Sequence, residues 1–534
     1  MASHRSMAKM AGLIGLATTL SRILGFVRDS LNASLFGAGE ISDAYFVAFR
    51  IPNLLRDLVA EGALSAAFVP TFTDVREKQG EAAGWMLASL MLNALILIMA
   101  GIVLLGEALA PGLVGLLAPG FQARPDQFSL CVVLTRWLFP FIAFMALGAL
   151  FMGMHNARRR FLVPALAPAL LNAVMIASAW GLVPLFGADP RRQIIGWAIG
   201  SLLGGLAQWL VQVPLAFRDG FRLRWQWPFK DLGVRRVLKL MTPAIFGNST
   251  SQINQMVNTM FSTSLAAGTV SYLYYGQRLF QLPLGIFGVA IATASLPALA
   301  THHARGEGEG FKRSLLYALR LSLFITLPAS VGLITLSGPI NRLLFQYGRF
   351  TPQDAQMVSR ASICYCAGIV TASWVKILVQ TFYVLGAPKV PVLVGFAMVG
   401  LNLALNTAAI LLLPPGWRFL GLALSTSVVS VANAGTQLWL LRRRLGALGL
   451  GKLAKDLALL GLAALVMGGA VWGASLAWEQ WAGPAASRAL LALRVAALIA
   501  LGVLAWLAAC RLMGYDALKA LLRPKGQAGE AGQA

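Results

Sequence analysis

Long apolar runs separated by short polar patches repeat along almost the whole chain. A helix needs about 20 apolar residues to cross a bilayer, and about fourteen stretches of this sequence meet that requirement. They fall near 11–36, 43–72, 84–111, 128–153, 161–185, 194–216, 237–264, 270–300, 314–337, 355–384, 390–413, 418–441, 456–477 and 487–510. The runs are continuously apolar and do not alternate. Helices are therefore expected, because lipid offers no partner to open backbone groups and a barrel needs short alternating strands. The first run carries Arg22, Arg28 and Asp29 where a cleaved leader requires an unbroken apolar core, so it is expected to be retained.

The polar patches set the organisation. The longest, 217–236, places Phe221, Trp225, Trp227 and Phe229 among Arg222, Arg224 and Lys230, the pattern of a linker on the membrane surface. Weak self-similarity recurs at an offset of roughly 227–230 residues, which spans six helices and implies a parallel repeat. Tyr45 falls on Tyr272, Pro70 on Pro297, Asn172 on Asn402 and Gln208 on Gln437. The expected fold is an all-α polytopic membrane protein with two parallel six-helix bundles and two C-terminal helices. Its parts are a first bundle over 1–216, the linker 217–236, a second bundle over 237–441, the extra pair over 442–525, and a disordered tail over 526–534.

Composition narrows the class. The chain is 58% hydrophobic and 12% charged, which leaves no stretch for a soluble domain. A net charge of +24 by itself suggests nucleic acid, but its distribution does not. Loops on one side hold about 27 Lys or Arg, the Arg158–Arg160 run among them, against about seven on the other. That asymmetry places both termini in the cytoplasm and accounts for most of the surplus. The cysteines (Cys131, Cys364, Cys366 and Cys510) all lie in apolar runs and read as small buried hydrophobes, and no His–Cys–acid grouping suggests a metal.

A second set of cations is not explained by topology. Arg22, Arg28, Arg50, Arg56, Arg136, Arg278, Arg320, Arg360, Lys376 and Arg494 sit inside the apolar runs. A charge at bilayer depth costs roughly 2.5–3.5 kcal/mol on insertion scales unless it faces a cavity or a partner. Acids at that depth are fewer: Asp29, Asp57, Glu61 and Glu107, with Asp43 near an edge. An interior with excess positive charge suits an anionic, phosphorylated solute, and arginine's planar fork binds phosphate oxygens in pairs. Arg22, Arg28 and Arg56 could face one cavity with Arg278. Alternatively, they pair with Asp29, Asp57 and Glu61 as structural ties. Arg22 and Asp29 are seven apart and share a helix face, as do Arg50 and Asp57. Arg136, Arg320, Arg360 and Arg494 lie nearer span ends and could snorkel. Gly25, Pro52 and Gly62 are places where helices could bend.

Several of these stretches together resemble the lipid II flippase family (MurJ, also called MviN). They are Ser21-Arg22-x-x-Gly25-Phe26-x-Arg28-Asp29, Phe36-Gly37-x-Gly39, Ser42-Asp43-Ala44-Tyr45, Pro52-Asn53-Leu54-Leu55-Arg56 and Glu61-Gly62-Ala63. Tyr274-Tyr275-x-x-Arg278-Leu279 and Phe345-x-Tyr347-Gly348-x-Phe350 match as well. The resemblance runs to about residue 440 and is strongest over the first seventy or so positions. It implies a fourteen-helix member of the multidrug/oligosaccharidyl-lipid/polysaccharide exporter superfamily. Such proteins are not enzymes and use no cofactor. They move lipid-linked peptidoglycan precursor (lipid II) across the bacterial cytoplasmic membrane by alternating access, among membrane lipids and beside cell-wall synthesis proteins. The resemblance further implies that Arg22, Arg28, Arg56 and Arg278 line the substrate cavity, and that Asp29, Asp43 and Glu61 act in the cavity or gate. Some relatives bind sodium through carboxylates. Here Asn254, Asn258, Asn402 and Asn406 stand on the corresponding helices without an acid, so a site of that type is not expected. The rival readings are export of another polyprenyl-linked unit and a polyprenyl-phosphate glycosyltransferase. The latter needs clustered outer-face carboxylates, whereas Glu40, Asp126, Asp189, Asp354 and Glu479 are scattered over five loops.

Overall fold

The computed structural model describes residues 2–58, 64–483 and 487–515. Every regular element among them is helical. In order these are α1 (Ala2–Phe36), α2 (Glu40–Leu58), α3 (Ser65–Gln79), α4 (Glu81–Ala108), α5 (Ala110–Leu117), α6 (Pro125–Leu138) and α7 (Phe141–Ala157). Next come α8 (Leu162–Gly181), α9 (Pro190–Leu210), α10 (Val213–Arg218), α11 (Leu232–Thr263), α12 (Thr269–Pro283), α13 (Val289–Ala304) and α14 (Gly308–Thr335). The rest are α15 (Ser337–Phe345), α16 (Pro352–Cys366), α17 (Ile369–Val384), α18 (Lys389–Leu412), α19 (Arg418–Leu445), α20 (Leu450–Ala482) and α21 (Arg488–Leu512).

Among the described residues, ten spans are long and apolar enough to cross a membrane, or eleven if the bent pair α16–α17 is one of them. The apolar criterion therefore does not by itself deliver the expected fourteen. The three remaining expected spans fall on α1, on α2 with α3, and on α11. These are the helices whose charged and amide side chains lower their hydropathy. The spans left out thus carry Arg22, Arg28 and Arg56, while Arg278 lies in a span that meets the criterion.

The chain packs as two units. One takes the residues up to Tyr274 together with Leu344–Asp354; the other takes Tyr275–Leu343 and Ala355 onward. This packing division falls later in the chain than the expected linker at 217–236, because α11 packs on α2, α3 and α4. In the first unit α1 lies on α8, α8 on α9, and α2 on α6 and α7. Its core joins Phe68 and Phe72 of α3, Trp85 and Met91 of α4, and Phe151 of α7.

The expected surface linker is only partly at the surface. Phe221 is fully buried in that core, 6.0 Å from Trp85 and 5.8 Å from Phe151 between ring centroids. The backbone after it carries no helix as far as Trp227. Ser89 and Asn93 of α4 hold it by donating to the Arg224 carbonyl, and Asn93 also reaches the Gln226 carbonyl. Trp225 and Trp227 remain exposed, as an interfacial anchor requires. Nearby, Arg158 pairs with Glu81 and Arg160 with Asp219. Lys78 and Arg236 bond Asp74 and hold its carboxyl below the usual range.

In the second unit α14 is the hub. It contacts α13, α17 and α20, and α20 packs along α21. The core runs from Leu315 and Leu323 through Trp374 and Phe382 to Leu460 and Trp506. Two cations expected to snorkel are instead tied down. Arg320 forms an ion pair with the buried Asp456, bolting α20 to α14. Arg494 is buried, donates to the Gly483 carbonyl at 2.7 Å and lies over the Trp478 ring. A snorkelling arginine would leave those carbonyl and carboxylate groups unmet at depth.

Candidate substrate and gate site

The first helix has two lengthwise stripes. Leu13, Leu16, Leu20, Ile23 and Val27 recur at helical spacing and are 42–70% exposed. Gly15, Thr18, Arg22, Gly25 and Asp29 recur at the same spacing on the far side of the helix. Gly15, Thr18 and Arg22 of that second stripe are also exposed. Arg22 lies about 16 Å along the axis from residue 11, near mid-span. Its side chain holds no hydrogen bond or ion pair with a described residue. An unpaired guanidinium at that depth must face water, because lipid would penalise it.

Arg28 is placed differently. It donates two bonds to Asp29 Oδ1, at 3.0 and 2.7 Å, and a third to Asn172 Oδ1 at 3.0 Å. Asn172, from α8, also donates to the Ser21 carbonyl. It packs beside Gly25, where a Cβ would make ordinary contact with its Nδ2 at 3.7 Å. Arg56 repeats the arrangement, bonding Asp57 Oδ1 at 3.0 and 2.7 Å. Gln252 of α11 donates to the other Asp57 oxygen, and Arg50 donates to Gln255. The acids therefore hold the arginine next to them in sequence. The seven-residue pairs suggested by shared helix faces do not form: Asp29 holds Arg28, not Arg22, and Arg50 turns to Gln255 rather than Asp57. Neighbours on a helix diverge, but the long arginine stem lets the guanidinium fold back.

Both α1 and α2 run unbroken, through Gly25 and through Pro52 respectively. Arg278, on α12, belongs to the second unit and is half-buried. Glu61 and Gly62 lie outside the described residues.

The far ends of α1 and α2 carry a second cluster. Asp43, in the first turn of α2, is fully buried. It accepts from the Gly268 N–H at 2.7 Å, the Ser271 N–H at 2.8 Å and the Ser271 hydroxyl at 2.6 Å. These donors open α12, so Asp43 caps that helix from across the fold and meets the positive end of its dipole. Arg124 steadies the preceding turn by donating to the Thr263 and Leu265 carbonyls. The segment Leu344–Asp354 docks here as well. Arg349 N–H donates to the Ser34 carbonyl, and the Ser30 hydroxyl donates to the Leu344 carbonyl. Gly348 has φ +53°, and a Cβ there would meet the Ser34 oxygen at 2.4 Å, so the family-like Tyr347-Gly348 step needs glycine twice over. Tyr272 donates to Asp354, which also caps α16 through a Thr351–Asp354 capping box.

Sequence reasoning counted Asp43 among the acids near a span edge and gave it a gate role only through resemblance. It missed Ser271, Tyr272, Asn172, Gln252 and Gln255 as partners. For Asn172 the available signal was a lone amide in an apolar run, and for Gln252 and Gln255 it was the polar stretch over 248–258. The carboxylates weighed for an enzyme serve structure. Asp189 caps α9, Asp354 caps α16, Asp126 pairs with Arg191, and Glu479 lies 3.7 Å from Arg342. The Ser425 hydroxyl bonds Asn406 at 2.6 Å and Asn402 at 3.2 Å.

Replacing Asp43 with Asn keeps the shape but removes a charge that accepts three bonds. Charge-assisted bonds contribute roughly 1.5–3 kcal/mol each and part of that survives in the amide, so a loss of about 2 kcal/mol is expected. A fall in the unfolding midpoint of the purified variant, together with lost transport, is the expected result. An unchanged midpoint would remove Asp43 as the cap.

A family model for "Lipid II flippase MurJ" matches residues 32–488. A "Probable lipid II flippase MurJ" of Vibrio cholerae is 35% identical over 96% of this chain and 97% of its own length. A "Lipid II flippase MurJ" of Burkholderia cenocepacia is 36% identical over 71% of this chain and 74% of its own. The solved structure "Lipid II flippase MurJ, inward closed conformation" superposes with a TM-score of 0.76 at 26% identity, covering 95% of this chain and 99% of that one. An inward-facing multidrug resistance MATE family transporter of the MOP superfamily shares the fold at a TM-score of 0.67 and 16% identity, over 80% of this chain and 95% of that one. With a family model over most of its length and relatives alike from end to end, the chain belongs to the MurJ lipid II flippase family.

Proposed function

We propose that this chain moves lipid II from the inner to the outer leaflet of the bacterial cytoplasmic membrane by alternating access. The observation that carries the reading is Arg22, exposed and unpaired among described residues on the polar stripe of α1. A hydrated, permanently charged guanidinium at mid-span offers a pyrophosphate two parallel bonds and replaces part of its hydration shell. Arg28 and Arg56 start out bonded to acids and can exchange that partner for phosphate. Such exchange limits affinity, which a transporter needs for release. The Asp43 cluster is the gate on the far side, and Gly25 and Pro52 let α1 and α2 flex as it opens.

Depletion of the protein in its host tests the function. Lipid II should accumulate out of reach of an external probe. Unchanged exposure of lipid II would overturn the reading. Orientation follows from the basic loops, with both termini and Arg158–Arg160 in the cytoplasm. Cysteines placed in those segments should resist impermeant labels in intact cells, and outside labelling would reverse the topology.

Coupling is expected to follow membrane potential and not sodium. Neutral amides at Asn402 and Asn406 cannot compensate a cation's charge, and hard cations favour carboxylates. Each elementary charge crossing the full field is worth about 2.3 kcal/mol per 100 mV. With the interior negative, that work drives the anionic head outward and returns the emptied positive cavity inward. Transport in vesicles should rise with an imposed potential. A strict need for a sodium gradient would contradict this.

A further inference from the structure

A cavity of about 580 Å³ opens between α13 and α14, with every lining residue in the second unit. Its floor is a row of alanines, Ala290, Ala294 and Ala298, one turn apart and all exposed. Tyr317 of α14 lines it opposite the row, and Phe287 closes one end. Phe287 stands in a π-helical turn, Leu284–Gly288, a widened geometry that recurs at functional sites. At the other end stands Arg313. It is exposed, pairs with no carboxylate among described residues, and gives only its Nε to the Glu309 carbonyl at 3.4 Å. The groove is thus apolar along its length and cationic at one mouth.

We propose that this groove is a binding site for an anionic phospholipid of the surrounding leaflet, with one acyl chain on the alanine row and the headgroup phosphate at Arg313. Two observations choose that occupant. Arg313 is five residues into α14, just before the apolar run begins, so it sits at headgroup depth. From Ala298 to Phe287 the groove spans about 16 Å, close to half of a bilayer core roughly 30 Å thick. That is the depth of one leaflet. The transported lipid would instead place its pyrophosphate at mid-span arginines. The site rests on the membrane placement of α13 and α14 and is independent of the flipping reading.

The test is lipid retention by the purified full-length chain, read by native mass spectrometry after exchange into detergent with defined lipids. The probes are phosphatidylglycerol and phosphatidylcholine of identical chains. The wild type should retain phosphatidylglycerol preferentially by about fivefold, the worth of one basic residue at a membrane surface. Arg313→Gln should remove that preference while leaving chain occupancy. Ala294→Trp, which fills the groove, should abolish retention of both. Ala298→Leu, a milder filling, serves if the tryptophan variant does not elute as a folded monodisperse species. Retention by a filled variant equal to wild type would overturn the proposal, as would a wild type without headgroup preference. Displacement of phosphatidylglycerol by equimolar undecaprenyl phosphate would overturn it too, by assigning the groove to a polyprenyl tail.

Discussion

Arg22→Ala is expected to stop transport and leave the unfolding midpoint where it was, whereas Arg28→Ala stops transport and lowers the midpoint. The difference follows from what each guanidinium touches. Arg22 is exposed and bonds to no described residue, so truncation removes no hydrogen bond or ion pair, and a charge that faces water carries little desolvation cost to relieve. Any loss of function is then a loss of substrate interaction. Arg28 is 14% and Asp29 5% exposed at the side chain, and the pair shares two hydrogen bonds while Asn172 takes a third. Removing one partner of a buried pair costs roughly 3–5 kcal/mol, because the charge left behind stays desolvated. Arg56→Ala should fall between them, since Arg56 and Asp57 are 21% and 25% exposed. Lysine should rescue Arg22 only in part, as a point charge cannot grip two oxygens. Arg136 is the suitable control: it is exposed and, among the described residues, makes only a 3.3 Å bond to the Glu107 carbonyl. Arg494, buried against Gly483 and Trp478, is not. An Arg22→Ala, Arg56→Ala double variant that still transports would remove the anion-binding account.

The second large effect is expected at the Asp43 cluster. Ala38→Cys with Ala267→Cys, joined by a short cleavable cross-linker, should hold the α1–α2 turn against the α11–α12 turn and reduce flipping to background. Cleaving the linker should restore it. The two turns are in contact: a Cβ built at Gly268 lies 3.0 Å from the Ala38 carbonyl oxygen. Asp43 binds the same turn through Gly268 and Ser271, so the link fixes an arrangement the native bonds already favour. Each single cysteine treated with the reagent separates the link from surface modification. Full cross-linking with undiminished transport would show that these turns need not part.

Helices and membrane class were legible in the sequence because apolar run length has a direct physical meaning. The charged stripe of α1 was legible because helical spacing assigns residues to faces. Pairing was not. Spacing put Arg22 with Asp29 and Arg50 with Asp57, yet Asp29 holds Arg28 and Arg50 turns to Gln255. Which acid an arginine takes depends on the neighbouring helix, and Asn172, Gln252 and Gln255 are set there by tertiary packing alone. Arg320 illustrates the same limit. Its span-end position suggested snorkelling, but Asp456, 136 residues away, offered a nearer partner. Asp43 shows the converse. Nothing in its own helix reveals that it caps α12, since its donors are backbone groups and one hydroxyl of a distant turn.

The most direct measurement is lipid II translocation by the purified chain in sealed vesicles of defined composition. Labelled lipid II is placed in one leaflet, and its arrival in the other is read with an impermeant lipid II-binding probe. The account predicts that arrival is accelerated by the wild-type protein and by the Arg136→Ala control, and that it stays at the protein-free rate with Arg22→Ala. Equal acceleration by wild type and Arg22→Ala, or none by a folded wild type under an imposed potential, would contradict it.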